Sequence, residues 1–113
     1  MPKDDFFAIA YKILEYLYSC MKEGKEVDID AIRYDSEAIK ISEAYWHDIM
    51  IELYNNGYIK GVSVVKACGQ PDRIKINDLG ITLKGVEYLQ DNSKMKTAAG
   101  CIKTVAEILK LFI

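Results

Sequence analysis

The sequence has little of what disulfide-stabilised or metal-binding domains need. Three cysteines occur in 113 residues, Cys20, Cys68 and Cys101, and no two of them form a CxxC pair. Disulfide frameworks use even sets of cysteines and zinc sites use closely spaced pairs, so we expect neither. We interpret the three thiols as reduced and mostly buried. One histidine, His47, with distant cysteines does not build a metal site.

Long apolar runs are also missing. No stretch approaches the ~18 to 20 apolar residues of a membrane span, and no leader has the charged-then-apolar pattern of a signal peptide. We therefore expect a soluble, cytoplasmic protein with no membrane association. Apolar residues make up 50% of the chain, enough to bury the core of one domain over residues 1–113.

Signatures of catalysis are absent from the sequence. His47 lies beside Asp48, a pair capable of acid–base chemistry. No nucleophile motif and no glycine-rich phosphate loop accompany it. We interpret His47 as a surface residue of a helix and expect neither an enzyme nor a bound cofactor.

Positive charge is not in excess. The net charge is -2, which argues against a generic nucleic-acid binder. The charge is also uneven along the chain. Residues 26–57 contain eight acids and two bases, whereas residues 58–113 contain nine bases and five acids. The sequence therefore predicts a polarised molecule, acidic toward its front helices and basic toward its hairpin and tail.

The hydrophobic pattern that is present predicts a mostly helical α+β protein. The predicted elements are a helix over 4–23, a short strand at Val27 and Ile29, a helix-turn-helix over 35–57, a hairpin over 58–77, and helices over 82–92 and 94–112. Asp35 or Ser36 is the predicted cap of the short helix that opens the helix-turn-helix. The other predicted caps and stops are Gly24, Ser42, Gly57 and Thr82.

This order of elements is the layout of a winged helix-turn-helix domain, with a small antiparallel sheet of two or three strands and an added C-terminal helix. The stretches ELYNNGYIKGV (52–62) and ITLKGVEYL (81–89) are similar to the end of the recognition helix and the start of the post-wing helix in winged-helix regulators. With this length and a terminal helix, the chain resembles the YjcQ family of small bacterial and prophage-encoded winged-helix proteins. The resemblance implies a fold and a phage connection, and no catalytic residue. The shared residues are structural: Leu53, Gly57, Tyr58, Ile59, Thr82, Gly85 and Leu89.

The predicted recognition helix carries no lysine or arginine between residues 42 and 57. Base edges are read by Arg, Lys, Asn or Gln, usually near the helix N-terminus. Asn55 is the one outward candidate, and it lies at the opposite end. The outward face is therefore interpreted as a protein-binding surface or as a solvated one, and its candidate partner-binding residues are Ala44, His47, Asp48 and Ile51.

The hairpin carries the candidate phosphate contacts to double-stranded DNA. With Asn55, the candidate nucleic-acid residues are Lys60, Lys66, Arg73 and Lys75. A basic wing can contact phosphates without reading sequence. The alternative interpretation is a solvated hairpin whose edge lysines guard against aggregation.

The last predicted helix carries a heptad seam. Its members are Met95, Ala98, Ile102, Val105, Leu109 and Phe112. The seam is predicted to pack on the first helix, to form a homodimer, or to do both. Two functions stay open: a DNA-binding regulator that uses its wing, and a protein-interaction module that has lost DNA binding.

Overall fold

The computed structural model describes residues 5–65, 69 and 73–101. Its elements in chain order are α1 (Phe6–Glu23), a 3-10 turn (Ile29–Ala31), α2 (Glu43–Asn55), β1 (Ile59–Val65), β2 (Arg73–Ile81), α3 (Leu83–Asp91) and α4 (Ser93–Cys101). Within these ranges four α-helices and one two-stranded antiparallel sheet form a mostly helical, winged-helix-like α+β fold. The expected fold class is confirmed. Among the described helices, none combines the length and apolarity needed to cross a membrane.

Helix α1 is the centre of the core. The Asp5 side chain caps its N-terminus by accepting from the Phe7 amide at 2.9 Å. Gly24 ends it in the left-handed conformation, with φ 66°, as predicted. Buried apolar residues lie on several sides of the helix: Ala8, Ile9, Ala10, Tyr11, Ile13, Leu14, Leu17 and Cys20. A helix buried in this way must be covered by several other elements.

The predicted strand at Val27 and Ile29 is wrong. Residues Ile29–Ala31 form a 3-10 turn, whose N-terminus is capped by the Asp28 side chain accepting from the Asp30 amide at 3.1 Å. The Asp28 amide in turn donates to the Tyr16 hydroxyl at 2.9 Å. The amides of Asp28 and Asp30 are therefore hydrogen-bonded to side chains and not to a neighbouring strand. The sheet therefore has two strands in the described residues.

The predicted short helix from residue 35 is also wrong. The segment forms successive turns, with one helical bond from the Lys40 amide to the Ser36 carbonyl at 3.0 Å. Lys40 has φ 48°, which stops the helix after that single turn. Neither predicted cap acts as one, and the Ser36 hydroxyl is buried without a hydrogen-bond partner among the described residues. The turn is held instead by the buried Lys12 ammonium, which donates to the Ala38 carbonyl at 2.9 Å.

Helix α2 starts at the predicted cap, since the Ser42 hydroxyl accepts from the Tyr45 amide at 3.2 Å. It ends before Gly57, which adopts φ 78° as predicted. Its inward stripe is the predicted one: Trp46, Ile49, Met50 and Leu53. The Trp46 indole N–H also donates to the Ile32 carbonyl at 2.8 Å. This bond and the stripe fix the rotation of the helix about its axis.

The hairpin is longer than predicted on its return strand, which runs to Ile81 instead of ending at residue 77. A bulge between Lys60 and Val62 accounts for the difference. Gly61 has φ 85°, and a Cβ there would lie 2.5 Å from the carbonyl oxygens of Asn77 and Asp78. Asp78 also has a positive φ, of 55°. Four steps on β2, from Ile76 to Gly80, pair with two steps on β1, so β2 carries two extra residues at the bulge. Leu79 and Ile81, at and beyond the bulge, are buried in the core.

The two stretches that resemble winged-helix regulators meet at the junction of α2 and α3. The Thr82 hydroxyl accepts from the Gly85 amide at 3.0 Å and donates to the Gly57 carbonyl at 2.5 Å. The Thr82 amide donates to the Tyr58 carbonyl at 3.1 Å. A Cβ on Gly85 would collide with that same carbonyl. The two stretches therefore form one structural joint.

Helix α4 packs on α1 and α3. Met95 and Ala98, the first two residues of the predicted seam, are fully buried within the single chain. They serve the core of one protomer, which agrees with the packing alternative for this part of the seam. The remaining seam residues, Ile102, Val105, Leu109 and Phe112, lie outside the described residues, and a homodimer through them stays a prediction.

Candidate interaction surfaces

The α2 outer face comprises Ala44, His47, Asp48, Ile51, Glu52 and Asn55. Ala44, Asp48, Glu52 and Asn55 are exposed, and His47 and Ile51 are half-buried. The structure thus brings the four predicted partner-binding residues onto one surface, with Asn55 at its C-terminal end. Opposite this face, the buried stripe of α2 is fully used by the core. Any partner of α2 must meet the outer face.

This outer face is acidic. Its one basic side chain is His47. The His47 Nε2 lies 3.9 Å from a carboxylate oxygen of Glu43, and its ring packs on Trp46 with 5.5 Å between centroids. Asp48 and Glu52 form no ion pair with any residue in the described ranges. Their negative charge is therefore presented to solvent.

The wing outer face is the solvent side of the two-stranded sheet. Lys60 and Lys75 are exposed on it, with Ser63 paired to Lys75 and Gly80 paired to Lys60. The Lys60 side chain crosses Gly80, its Cε 3.1 Å from the position a Cβ would occupy. The register thus places two of the predicted phosphate contacts on one surface.

Two other predicted wing residues are less fully described. Arg73 pairs with Val65, two residues along β2 from Lys75, so its register position is on the wing outer face. Its side chain is not described. Lys66 lies outside the described residues. Asp78, at the bulge, is exposed and lowers the positive charge of the hairpin.

A third surface was not predicted. A shallow groove of about 370 Å³, here called the α3 groove, is lined by Tyr58, Lys84, Glu87, Tyr88, Asp91 and Asn92. The Tyr58 and Tyr88 rings stack with centroids 4.2 Å apart and an interplanar angle of 20°. The Lys84 ammonium lies 5.7 Å from the centroid of the Tyr58 ring.

Sequence reasoning missed this groove because Tyr58 comes from outside α3. The spacing of Lys84, Glu87, Tyr88 and Asp91 does place them along one helix face. That spacing alone predicts only a row of solvent-exposed side chains along the helix. Burial, and secondarily the neighbouring Tyr58, raise the pKa of Tyr88, so its ring stays neutral at physiological pH.

Metal-binding clusters do not occur in the described ranges, where no three His, Cys, Asp or Glu side chains gather. Cys20 is a buried free thiol, as interpreted from the sequence. The side chains of Cys68 and Cys101 are not described.

Comparison with known proteins agrees with the resemblance. Residues 11–108 match the family described as YjcQ protein. No curated protein and no solved structure matches the chain. The matched range begins within α1, runs through α4 and includes the Gly57–Thr82 joint and all three surfaces described above, so this chain belongs to the YjcQ family.

Proposed function

We propose that the protein is a non-enzymatic accessory protein that binds another protein through the α2 outer face. One observation carries the proposal. The helix at the recognition position of the winged-helix layout is locked by its buried stripe and by the Trp46–Ile32 bond, and it presents a face without lysine or arginine.

Electrostatics favour a protein over DNA at this face. Asp48 and Glu52 are exposed and form no ion pair in the described residues. In a major groove they would approach phosphates, and like charges at such distances repel. The same carboxylates suit a partner surface that carries lysine or arginine.

The shape of the face also suits a protein. Ala44 is small and exposed, and Ile51, two turns along the helix, is apolar and half-buried. Protein interfaces commonly combine an apolar centre with a polar rim. On the α2 outer face, Ile51 is the apolar group, and Asp48 and Glu52 are charged groups near it.

Site-specific photo-crosslinking in the native host tests the proposal. A photo-reactive phenylalanine analogue placed at Ala44 or Asp48 should give one discrete protein adduct. The same analogue at Ala99, exposed on α4, is the matched control and should not give that adduct. Adding Ile51→Lys should abolish the adduct while leaving the far-ultraviolet circular dichroism unchanged. Identical adducts from Ala44 and Ala99, or none from α2, would contradict the proposal.

DNA binding by the wing outer face, as in a transcription regulator, is the second candidate. The register supports it by placing Lys60 and Lys75 on one exposed surface, with Arg73 at the next position along the same side. Contacts there would engage phosphates without reading bases. The acidic helix α2 would then be held away from the DNA major groove.

A titration of labelled random duplex DNA at low and at physiological salt tests this second candidate. Binding through several phosphates must weaken steeply as salt rises. Lys60→Glu with Lys75→Glu should abolish it. Lys94→Glu with Lys96→Glu, on α4, makes the same change in net charge and should leave most of the binding. Absence of binding at low salt would exclude this function.

A further inference from the structure

The α3 groove combines an aromatic pair with unpaired carboxylates. Tyr58 and Tyr88 stack within it and both are half-buried. Glu87 and Asp91 stand on its rim, one helical turn apart, and are exposed. Neither forms an ion pair with any residue of the described ranges. The groove therefore offers two carboxylates without an ion-pair partner in the described residues. They lie beside two stacked rings that also pack against the core.

The aromatic pair already contacts a cation of the same chain. The Lys84 ammonium lies over the Tyr58 ring, 5.7 Å from its centroid, instead of pairing with Glu87 one turn away. A cation over a tyrosine ring is stabilised by the ring quadrupole. The groove thus binds one cation intramolecularly, at its Lys84 end.

The other end of the groove is suited to a second cation. Glu87 and Asp91 outnumber Lys84, so the lining has one negative charge in excess. An anionic ligand such as a phosphate would have to approach two carboxylates. The Asn92 side chain is committed to α4, since its oxygen accepts from the Lys94 amide at 2.9 Å.

We propose that the α3 groove binds an arginine side chain of a partner protein, with the guanidinium against the tyrosine pair and bonded to Glu87 and Asp91. Arginine fits better than lysine because its planar guanidinium both stacks on rings and bonds carboxylates in pairs. Arginine is also enriched at protein interfaces. This inference rests on the proposed function, in that the partner is a protein, but it concerns a separate surface from the α2 outer face.

The test is a nuclear magnetic resonance titration of the full chain, labelled with nitrogen-15, with the peptide acetyl-Gly-Arg-Gly-amide. The matched control peptide replaces arginine by citrulline, which has nearly the same shape and no charge. Saturable shifts at the amides of residue 58 and residues 84–92 are expected with arginine. Affinity for the citrulline peptide should be at least about tenfold weaker, the loss that 1.4 kcal/mol would cause. Equal affinities, or shifts that do not saturate, would overturn the proposal.

Variants separate the two components of the groove. Glu87→Gln with Asp91→Asn should weaken arginine binding about tenfold or more, as loss of charge-assisted bonds predicts. Tyr88→Phe should retain binding, whereas Tyr88→Leu should lose it. Asp48→Asn with Glu52→Gln, on the α2 outer face, makes the same charge change and should have no effect. Retained binding in Tyr88→Leu would refute the role of the ring.

The outcomes also separate this inference from the proposed function. Shifts confined to the α2 outer face would overturn the groove and leave the proposed protein-binding face standing. Arginine binding in the α3 groove, together with no crosslinked adduct from α2, would support the groove and contradict the proposed protein-binding face. Each variant is compared only after its spectrum shows the dispersion of the wild-type fold.

Discussion

The Thr82 hydroxyl donates a hydrogen bond to the Gly57 carbonyl at 2.5 Å, across 25 residues of sequence. The same oxygen accepts from the Gly85 amide and so caps α3. One side chain therefore joins the end of α2 to the start of α3. The wing leaves from this joint and returns to it, and the Tyr58 side of the α3 groove is built on it.

Removing this hydroxyl should destabilise the protein. Thr82→Val keeps the shape and loses both bonds, so we expect the free energy of unfolding to fall by about 1–2 kcal/mol. Thr82→Ser keeps the hydroxyl and should cost less than about 1 kcal/mol. Urea denaturation followed by Trp46 fluorescence measures both. A larger loss in Thr82→Ser than in Thr82→Val would show that the methyl group contributes more than the hydroxyl.

The bulge glycine should not tolerate a side chain. Gly61→Ala would force a Cβ against the carbonyl oxygens of Asn77 and Asp78 at a positive φ, so stability should fall by more than about 1 kcal/mol. Gly100→Ala is the matched control, because a Cβ there meets nothing within 4 Å. In helix α4 that change should raise stability by up to about 1 kcal/mol. Thermal denaturation should therefore show stability changes of opposite sign in the two variants.

Met95 distinguishes core packing from dimer packing. It is fully buried within one chain, so Met95→Ala should cost about 2–5 kcal/mol. That cost should be the same at low and high protein concentration, since no second copy is needed to bury it. If the seam is buried mainly in a dimer, the midpoint of unfolding will depend on concentration. Lys96→Ala, exposed on the next position, is the control and should change little.

Tyr16 should make stability depend on alkaline pH. Desolvation by burial is the largest cause that raises its pKa from 10.0 to about 12; the Asp28 amide bond lowers it and Cys20 raises it. Because the folded state favours the protonated phenol, this stabilisation is fully present below pH 10 and is lost as pH rises toward 12. Tyr16→Phe should therefore flatten the fall in unfolding free energy between these two values.

The measurement for Tyr16 is urea denaturation at a series of alkaline pH values, in the wild type and in two variants. Tyr54→Phe, in an exposed tyrosine of α2, is the control and should keep the wild-type slope. If Tyr16→Phe shows that same slope, other groups govern the alkaline unfolding.

Much of the candidate α2 surface could be predicted from the sequence. Its cap at Ser42, its stop at Gly57 and its inward stripe each depend on residues within a few positions of one another. Helical periodicity then places Asp48 and Ile51 outward. Because the direction of a helix face follows from local spacing, the amino-acid sequence alone predicts the acidic outer face.

The α3 groove and the wing outer face could not be predicted from the sequence, because both depend on long-range contacts. Tyr58 and Tyr88 are 30 positions apart in sequence, and no local pattern predicts that their rings stack. The bulge at Gly61 shifts the register of the strands, so the alignment of Lys60 with Gly80 could not be counted from the turn. Register across a bulge is decided by the core on which the strands pack.

What the sequence by itself determined was the fold class, the caps of α2 and α3, the stops of α1 and α2, and the inward stripe of α2, because these follow from propensity, capping chemistry and periodicity. The tertiary structure decided the conformation of residues 27–41. Their pattern predicted a strand and a helix, but Tyr16 binds the Asp28 amide and buried Lys12 binds the Ala38 carbonyl, and both side chains come from α1. A backbone whose polar groups are satisfied by a distant helix needs no regular structure of its own.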